Sequence, residues 1–265
     1  MIKNISLYCA VAIILTACNN NTSTNSQIAP TPAAEKLLRE AITKFPDSVL
    51  LKENLIQYFR ENSNYGEAIA ETDKALKKDT TNPRLWDIKA ILHLENNDTI
   101  SAIKAFEKAV AIEPQPTYLL SLGTLYAQTK NKSAIILADE LLAAPKAYAG
   151  KEAFFIKGLY FSATNEKQQA VNFFDKCLAS DFMNVPAYKE KATCLYDLAK
   201  YKDAIKTLEK AVAIQSTFDE GYYWLGRCYE KINLPKDAVE YYNLALQIDP
   251  DYAEAKDALL HLGQQ

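Results

Sequence analysis

The stretch DEGYYWLGRCYEKINLPKDAVEYYNLALQIDP, residues 219–250, decides the fold of this chain. Its apolar residues recur at intervals of three and four, which is the spacing of one face of an α-helix. Small residues stand at Gly226, Ala238 and Ala245, and Pro250 ends the second apolar segment. The stretch therefore predicts two antiparallel helices that pack closely, because backbones approach each other only where the facing side chains are small.

The same places recur along most of the chain at intervals of 34 residues. One of the small-residue places is occupied by alanine six times, at Ala34, Ala68, Ala102, Ala170, Ala204 and Ala238. The segments 102–112 and 204–214 are also near-copies of each other, AIKAFEKAVAI and AIKTLEKAVAI. A fixed period of this length indicates a repeat array in which neighbouring helix pairs share one continuous core.

This pattern resembles the tetratricopeptide repeat, a helix–turn–helix unit of 34 residues. The resemblance implies an all-α fold, specifically a right-handed superhelical α-solenoid. It divides residues 33–252 into a half repeat at 33–48 and six repeats at 49–82, 83–115, 116–150, 151–184, 185–218 and 219–252. A further amphipathic helix within 253–265 is expected to cap the open end of the array and to solvate it.

One repeat, 116–150, departs from the pattern. Gly123 and Ala134 are eleven residues apart in it, where the other repeats have twelve, and residues Lys146 to Gly150 then restore the register. We expect an altered turn near residues 129–132 and a looser junction after Pro145. A loop adjustment without functional meaning is the simpler interpretation, and a bend in the solenoid is the alternative.

The N-terminus has the pattern of a lipoprotein signal peptide. A basic start at Lys3 precedes an apolar run of about eleven residues, too short to span a bilayer. The tetrapeptide from Leu15 to Cys18 resembles the bacterial lipobox, which implies a signal peptide at 1–17 and an acylated Cys18. An ordinary signal peptide is the alternative. Asn19 favours the outer membrane by the same resemblance, and the periplasmic face is preferred because no acidic cluster follows Cys18.

Residues 18–32 are then a flexible tether, since the segment that follows Cys18 is uncharged and nearly free of apolar side chains. The attached array is predicted to stay close to the membrane that carries the lipid anchor.

Composition excludes several function classes. The formal net charge is −3, so no basic surface for nucleic acid is expected. The chain has two histidines and seven glycines in 265 residues. Histidine-based metal centres and glycine-rich phosphate-binding loops are therefore not expected. We interpret His93 as packing and His261 as part of the terminal helix. Three cysteines, Cys177, Cys194 and Cys228, are expected to be buried free thiols. No catalytic residue, metal, cofactor or small-molecule substrate is predicted, and the protein is not expected to be an enzyme.

The family resemblance also implies a binding surface. In tetratricopeptide proteins, the second, fifth, ninth and twelfth places of each first helix line a concave groove. Here that assignment gives Arg84, Asp87, Leu120, Thr124, Phe155, Leu159, Lys189, Thr193, Tyr196, Tyr223 and Arg227. Such a mixture suits a protein or peptide segment, with Tyr and Arg as the main contributors. A carboxylate clamp of the chaperone-binding kind is rejected, since Thr193 stands where that clamp needs Asn. A solvated groove without a partner remains the alternative.

Three functions are compatible with this sequence. The leading one is a non-enzymatic, membrane-anchored scaffold that binds a protein partner in the bacterial cell envelope through its groove. A narrower alternative is an assembly factor for an outer-membrane complex or a pilus secretin, which the combination of lipobox and repeats resembles. The third is a regulatory subunit of an envelope enzyme.

Overall fold

The computed structural model describes residues 32–143 and 150–263, which form fourteen α-helices and contain no β-strand. The helices are α1 (Pro32–Lys44), α2 (Val49–Glu61), α3 (Tyr65–Leu76), α4 (Pro83–Glu95), α5 (Thr99–Ile112), α6 (Pro116–Gln128), α7 (Ser133–Ala143), α8 (Gly150–Ala163), α9 (Lys167–Ser180), α10 (Val185–Asp197), α11 (Tyr201–Ile214), α12 (Asp219–Lys231), α13 (Pro235–Ile248) and α14 (Ala253–Gly263). The predicted signal peptide, Cys18 and nearly all of the tether lie outside the described residues.

Six helical hairpins, α2–α3 through α12–α13, stack one after another between α1 and α14. The second helix of each hairpin also packs on the first helix of the next, so that the buried core runs along the stack. The predicted all-α solenoid is confirmed. Within the two described segments, no helix combines the length and the apolar character that crossing a membrane requires.

Each hairpin turns at a single residue in the left-handed backbone region. These six residues are Ser63, Asn97, Lys130, Asn165, Ala199 and Asn233, with φ between 56° and 68°. The N–H of the following residue donates to a carbonyl five positions back, as from Leu234 to Tyr229 at 3.0 Å. This is the Schellman arrangement, which satisfies the last carbonyls of a helix and reverses the chain at once. Asparagine occupies three of the six positions because it tolerates positive φ better than most residues.

Small residues recur at the same place of successive first helices, and the structure shows a more specific cause for this than close approach of the backbones. A Cβ built on Gly226 would lie 2.6 Å from the ring of Tyr242, and one on Gly158 would lie 2.5 Å from the ring of Phe174. Both rings are fully buried. The glycine of the first helix therefore makes room for an aromatic ring from the second helix of the same hairpin, and the ring fills the space at core density.

The irregular repeat is packed differently. In α7 the place of that ring is taken by Ala138, and Ile156 of the following hairpin fills the space instead, 2.3 Å from a Cβ built on Gly123. Because of this substitution α6 lies against α8, whereas first helices of other adjacent hairpins barely touch. The looser junction predicted after Pro145 stays a prediction. Residues 144–149, which include Pro145, lie outside the described residues.

The predicted change in the turn of that repeat is confirmed. In regular repeats the alanine that opens the second helix donates to a carbonyl four residues back, as Ala102 does to Asp98 at 3.1 Å. Ala134 donates instead to Asn131, three residues back, at 3.0 Å. The missing residue is thus absorbed in the first turn of α7, after the left-handed residue Lys130.

Candidate functional site

The predicted groove residues all lie on the first helices of their hairpins, and we call the side of the array that they share the first-helix face. Arg84 of α4 reaches Glu53 of α2, Lys189 of α10 reaches Glu220 of α12, and Arg227 reaches back to Tyr196. Each contact spans 31 residues, one hairpin to the next. These contacts link neighbouring first helices at two places, between α2 and α4 and between α10 and α12.

The N-terminal part of this face is charged. Arg84 is exposed and holds Glu53 at 3.1 Å. Asp87, one turn further along α4, is half-buried, and this burial raises the pKa of its carboxyl to about 6, although the nearby Arg84 acts in the opposite direction. The sequence pattern did not predict this burial of a carboxyl group.

The middle of the face is apolar. Leu120, Phe155 and Leu159 are half-buried and pack against the two main cores. The ring of Phe155 lies 5.8 Å from the ring of Phe174, centroid to centroid. Thr124 is half-buried on the same helix as Leu120. The apolar strip is present as predicted, but its members contribute to packing as well as to the surface.

Beyond the strip lies an ion cluster around Lys189. The Nζ of Lys189 lies 3.1 Å from Glu220 and 3.6 Å from Glu190. Burial raises the pKa of Glu190, while Lys189 lowers it. The hydroxyl of Thr193 donates to the backbone carbonyl of Glu190 at 2.9 Å. Both predicted residues are thus engaged within the protein.

The C-terminal part of the face is an aromatic cluster around one cation. The guanidinium carbon of Arg227 lies 5.2 Å from the ring centroid of Tyr196, 5.8 Å from that of Tyr223 and 5.4 Å from that of Trp224. Arg227 also donates to the hydroxyls of Tyr223 at 3.0 Å and Tyr196 at 3.1 Å. These four residues, called the Arg227 cluster, come from two hairpins.

Electrostatics favour a permanently charged Arg227. Burial lowers the pKa of its guanidinium, but hydrogen bonds to the two tyrosine hydroxyls outweigh burial and raise the pKa overall. A cation over aromatic faces is attracted by their quadrupoles, by roughly 0.5–2 kcal/mol per contact. Sequence reasoning found Tyr196, Tyr223 and Arg227 but missed Trp224. The position of Trp224 next to Tyr223 within α12 was the available signal.

Groups with reactive chemistry are buried or dispersed in the described part of the chain. There, no three His, Cys, Asp or Glu side chains converge in a way that could hold a metal ion. Cys177, Cys194 and Cys228 are buried free thiols, as predicted. Burial raises the pKa of the Cys177 and Cys228 thiols to about 12, which disfavours the nucleophilic thiolate.

Family models match several parts of the chain. Models described as tetratricopeptide repeat match residues 31–83, 83–116 and 220–252. The chain contains tetratricopeptide repeats. A model of anaphase-promoting complex, cyclosome, subunit 3 matches residues 127–211, which include the irregular repeat. Tetratricopeptide repeats are protein-interaction modules, and the first-helix face is therefore the relevant candidate surface.

Curated relatives are distant. Stress-induced-phosphoprotein 1 of Caenorhabditis elegans is 23% identical over 227 residues, which cover 83% of this chain and 68% of the relative. Hsp70-Hsp90 organizing protein of Triticum aestivum is 22% identical over 223 residues, which cover 80% of this chain and 37% of the relative. This chain thus spans about two thirds of the length of the first relative and little more than a third of the length of the second.

Solved structures show the same fold at low identity. A tetratricopeptide repeat protein from Parabacteroides merdae is 20% identical with a TM-score of 0.69, and the match covers 88% of this chain and 92% of that one. PilW, described as a type IV pilus biogenesis factor, is 20% identical with a TM-score of 0.63, covering 79% and 97%. At this identity the similarity establishes the solenoid architecture alone.

Proposed function

We propose that this protein is a non-enzymatic scaffold of the bacterial cell envelope that binds a segment of a partner protein along its first-helix face. The observation that carries the proposal is the Arg227 cluster, in which an arginine, two tyrosines and a tryptophan form one half-buried surface. These are the residue types that contribute most at protein interfaces.

The neighbouring surface suggests the chemistry of the partner. Next to the Arg227 cluster lie the ion cluster of Lys189 and then the apolar strip of Leu120, Phe155 and Leu159. A segment that follows this order needs a carboxylate or carbonyl for Arg227, a polar stretch, and apolar anchors for the strip. An extended peptide or an amphipathic helix meets these requirements.

Membrane attachment is the second part of the proposal. A lipid on Cys18 anchors the protein in the outer membrane, with the array facing the periplasm, and the basic start, short apolar run and lipobox support it. Assembly of an outer-membrane complex or a pilus secretin is the narrower alternative. Regulation of an envelope enzyme is a third.

The proposal is tested by capture of a partner from detergent-solubilised native membranes. Tyr223→Ala and Phe155→Ala should each reduce capture strongly. The loss of binding free energy should be roughly 2 kcal/mol for a residue that is a hot spot. Arg227→Ala should reduce capture less at high salt than at low salt, because screening weakens its pairing with a carboxylate. Lys108→Ala and Lys210→Ala, on the second helices α5 and α11, are the matched controls.

Circular dichroism must show that each variant is folded, because Phe155 and Tyr223 also contact buried rings. Folded first-helix variants that capture the partner as well as the wild-type protein would exclude this face, above all if Lys108→Ala or Lys210→Ala lost the partner.

A further inference from the structure

Ion pairs join successive first helices at one fixed pair of places. Glu53 of α2 pairs with Arg84 of α4 at 3.1 Å, and Lys189 of α10 pairs with Glu220 of α12 at 3.1 Å. In both cases the first residue stands at the fifth place of its repeat, and the second residue stands at the second place of a following repeat. Each of these carboxylates therefore has a counter-ion within the protein.

Two other carboxylates at these places have no such counter-ion. Asp87 is at the fifth place of α4, and Glu152 is at the second place of α8. By the repeat register, the residue opposite Asp87 is Thr117, and the residue opposite Glu152 is Leu120. Within the two described segments, neither carboxylate takes part in a hydrogen bond or an ion pair.

The cations nearest to these carboxylates in sequence are already engaged. Arg84, one turn before Asp87, pairs with a carboxylate of α2. Lys151, next to Glu152, pairs with the aspartate that follows α9 at 3.0 Å. The described part of the array therefore leaves Asp87 and Glu152 without a cation of their own.

Burial makes these two charges costly. Asp87 is half-buried, and this burial raises the pKa of its carboxyl to about 6. The Oε2 atom of Glu152 is enclosed by the protein. An enclosed charge without a counter-ion destabilises a fold. The solenoid does not need a carboxylate at these places, since Phe155 of α8 stands where Asp87 stands in α4. Such surroundings are typical of a site that binds a cation.

Both carboxylates lie beside the apolar strip. Glu152 is three residues before Phe155 and seven before Leu159, which puts the three on one side of α8. Asp87 is on α4, one hairpin before Leu120 of α6. Two hairpin steps separate α4 from α8, roughly 20 Å. An extended segment covers this distance with about six residues, so a segment on the strip passes near both carboxylates.

We infer that the partner segment carries lysine or arginine side chains beside its apolar anchors, and that these pair with Asp87 and Glu152. The inference rests on the proposed function, because it names the chemistry of the segment that the first-helix face binds. At the other end of the face, Arg227 donates to two tyrosine hydroxyls and forms no ion pair within the described chain. The bound segment is therefore directional, with basic residues towards α4 and an acidic group towards α12.

Removal of charge with little change of shape separates binding from folding. Asp87→Asn and Glu152→Gln should leave the urea midpoint at pH 7.5 unchanged or raise it, because each removes a charge without a counter-ion. The double variant Glu140→Gln/Glu209→Gln is the matched control. It removes the same net charge from exposed places on the second helices α7 and α11.

The probe is a phage library of random peptides of about twelve residues, twice the extended distance between the two carboxylates. It is panned on the full-length protein in mild detergent. Wild-type protein should enrich peptides with lysine or arginine next to apolar residues. The double variant Asp87→Asn/Glu152→Gln should lose this enrichment, and the control variant should keep it.

A synthetic copy of one enriched peptide then measures the pairing by fluorescence anisotropy. Changing a basic residue of the peptide to glutamine should weaken binding to the wild-type protein by roughly tenfold, since a charged hydrogen bond is lost. In Asp87→Asn/Glu152→Gln the same change should weaken binding by less than about twofold, because the carboxylates are already absent.

Three results would overturn the inference. The first is a wild-type selection without basic peptides. The second is a glutamine effect of equal size in Asp87→Asn/Glu152→Gln. The third is a lowered urea midpoint in that variant, which would give the carboxylates a structural role. Lys146 precedes α8 and lies outside the described residues. Tighter binding of the basic peptide by Lys146→Ala would identify an internal counter-ion and overturn the role of Glu152.

Phe155→Ala distinguishes failure of this inference from failure of the proposed function. Enriched peptides that bind Phe155→Ala undiminished would reject the first-helix face, and the inference with it. Enriched peptides that need Phe155 but neither Asp87 nor Glu152 would reject the basic partner alone.

Discussion

The ring of Tyr242 lies directly over the backbone of Gly226, so close that a Cβ at position 226 would be 2.6 Å from the ring. The hydroxyl of Tyr242 donates to the carboxylate of Glu230, one turn further along α12, which fixes the ring in this position. Burial is the main reason that the pKa of Tyr242 is raised, and Glu230 adds to it. This pair of helices is therefore joined through a ring that leaves no room for a Cβ at position 226.

We predict that Gly226→Ala lowers the free energy of unfolding by roughly 1–3 kcal/mol, the usual cost of overpacking, even though alanine is the better helix former. Gly66→Ala is the matched control. No atom lies within 4 Å of a Cβ at position 66, so this change should raise stability by up to about 1 kcal/mol. Urea unfolding of both variants measures the difference.

Hydrogen exchange should also show that the effect of Gly226→Ala is local. Each hairpin contacts its neighbours, so residues 219–252 should lose protection first while residues 49–115 keep theirs. Uniform loss of protection along the chain would contradict the solenoid description.

The period of 34 residues allowed the helices, the turns and the phase of the small residues to be predicted, because these depend on local pattern. It did not identify what each small residue faces. The ring of Tyr242 over Gly226, and Ile156 in the corresponding space near Gly123, depend on side-chain volume on another helix.

For the candidate site, too, the sequence predicted where residues lie but not what they contact. Repeat position located Tyr196, Tyr223 and Arg227 on one face, but their mutual contacts arise from two hairpins and from Trp224 between them. The half-buried state of Asp87 likewise depends on its neighbours in space and has no signature in the sequence.

Asp87 should make stability depend on pH. Because its folded-state pKa of about 6 exceeds the ordinary value of about 3.9, the folded protein binds this proton more tightly than the unfolded chain. The contribution of Asp87 to the free energy of unfolding therefore falls as pH rises from about 4 to about 6. Asp87→Asn should be more stable than wild type at pH 7.5, by on the order of 1 kcal/mol after allowance for solvent screening, and should lose this advantage near pH 4.

Asp47→Asn, in the exposed turn after α1, is the control for this pH series. Asp47→Asn should change the free energy of unfolding only slightly, and by the same amount at pH 7.5 and near pH 4. An Asp87→Asn variant that is less stable than wild type at pH 7.5 would show that the carboxylate is stabilising, contrary to the effect of its burial.

The proposed anchor is tested by Cys18→Ser. This change should abolish metabolic labelling with palmitate and leave an unprocessed or soluble precursor, since the acylated thiol would be missing. Cys228→Ser, at a buried position, is the control and should keep the label. Labelling that persists in Cys18→Ser would exclude this cysteine as the attachment site.

Photocrosslinking in living cells can show whether a partner segment lies along the first-helix face. A photoreactive phenylalanine analogue is placed at Tyr196 or Tyr223 in the Arg227 cluster, and at Lys108 or Lys210 on second helices. We expect one crosslinked partner, the same from positions 196 and 223, and none from positions 108 and 210. Crosslinks to that partner from 108 and 210 with none from 196 and 223 would contradict it.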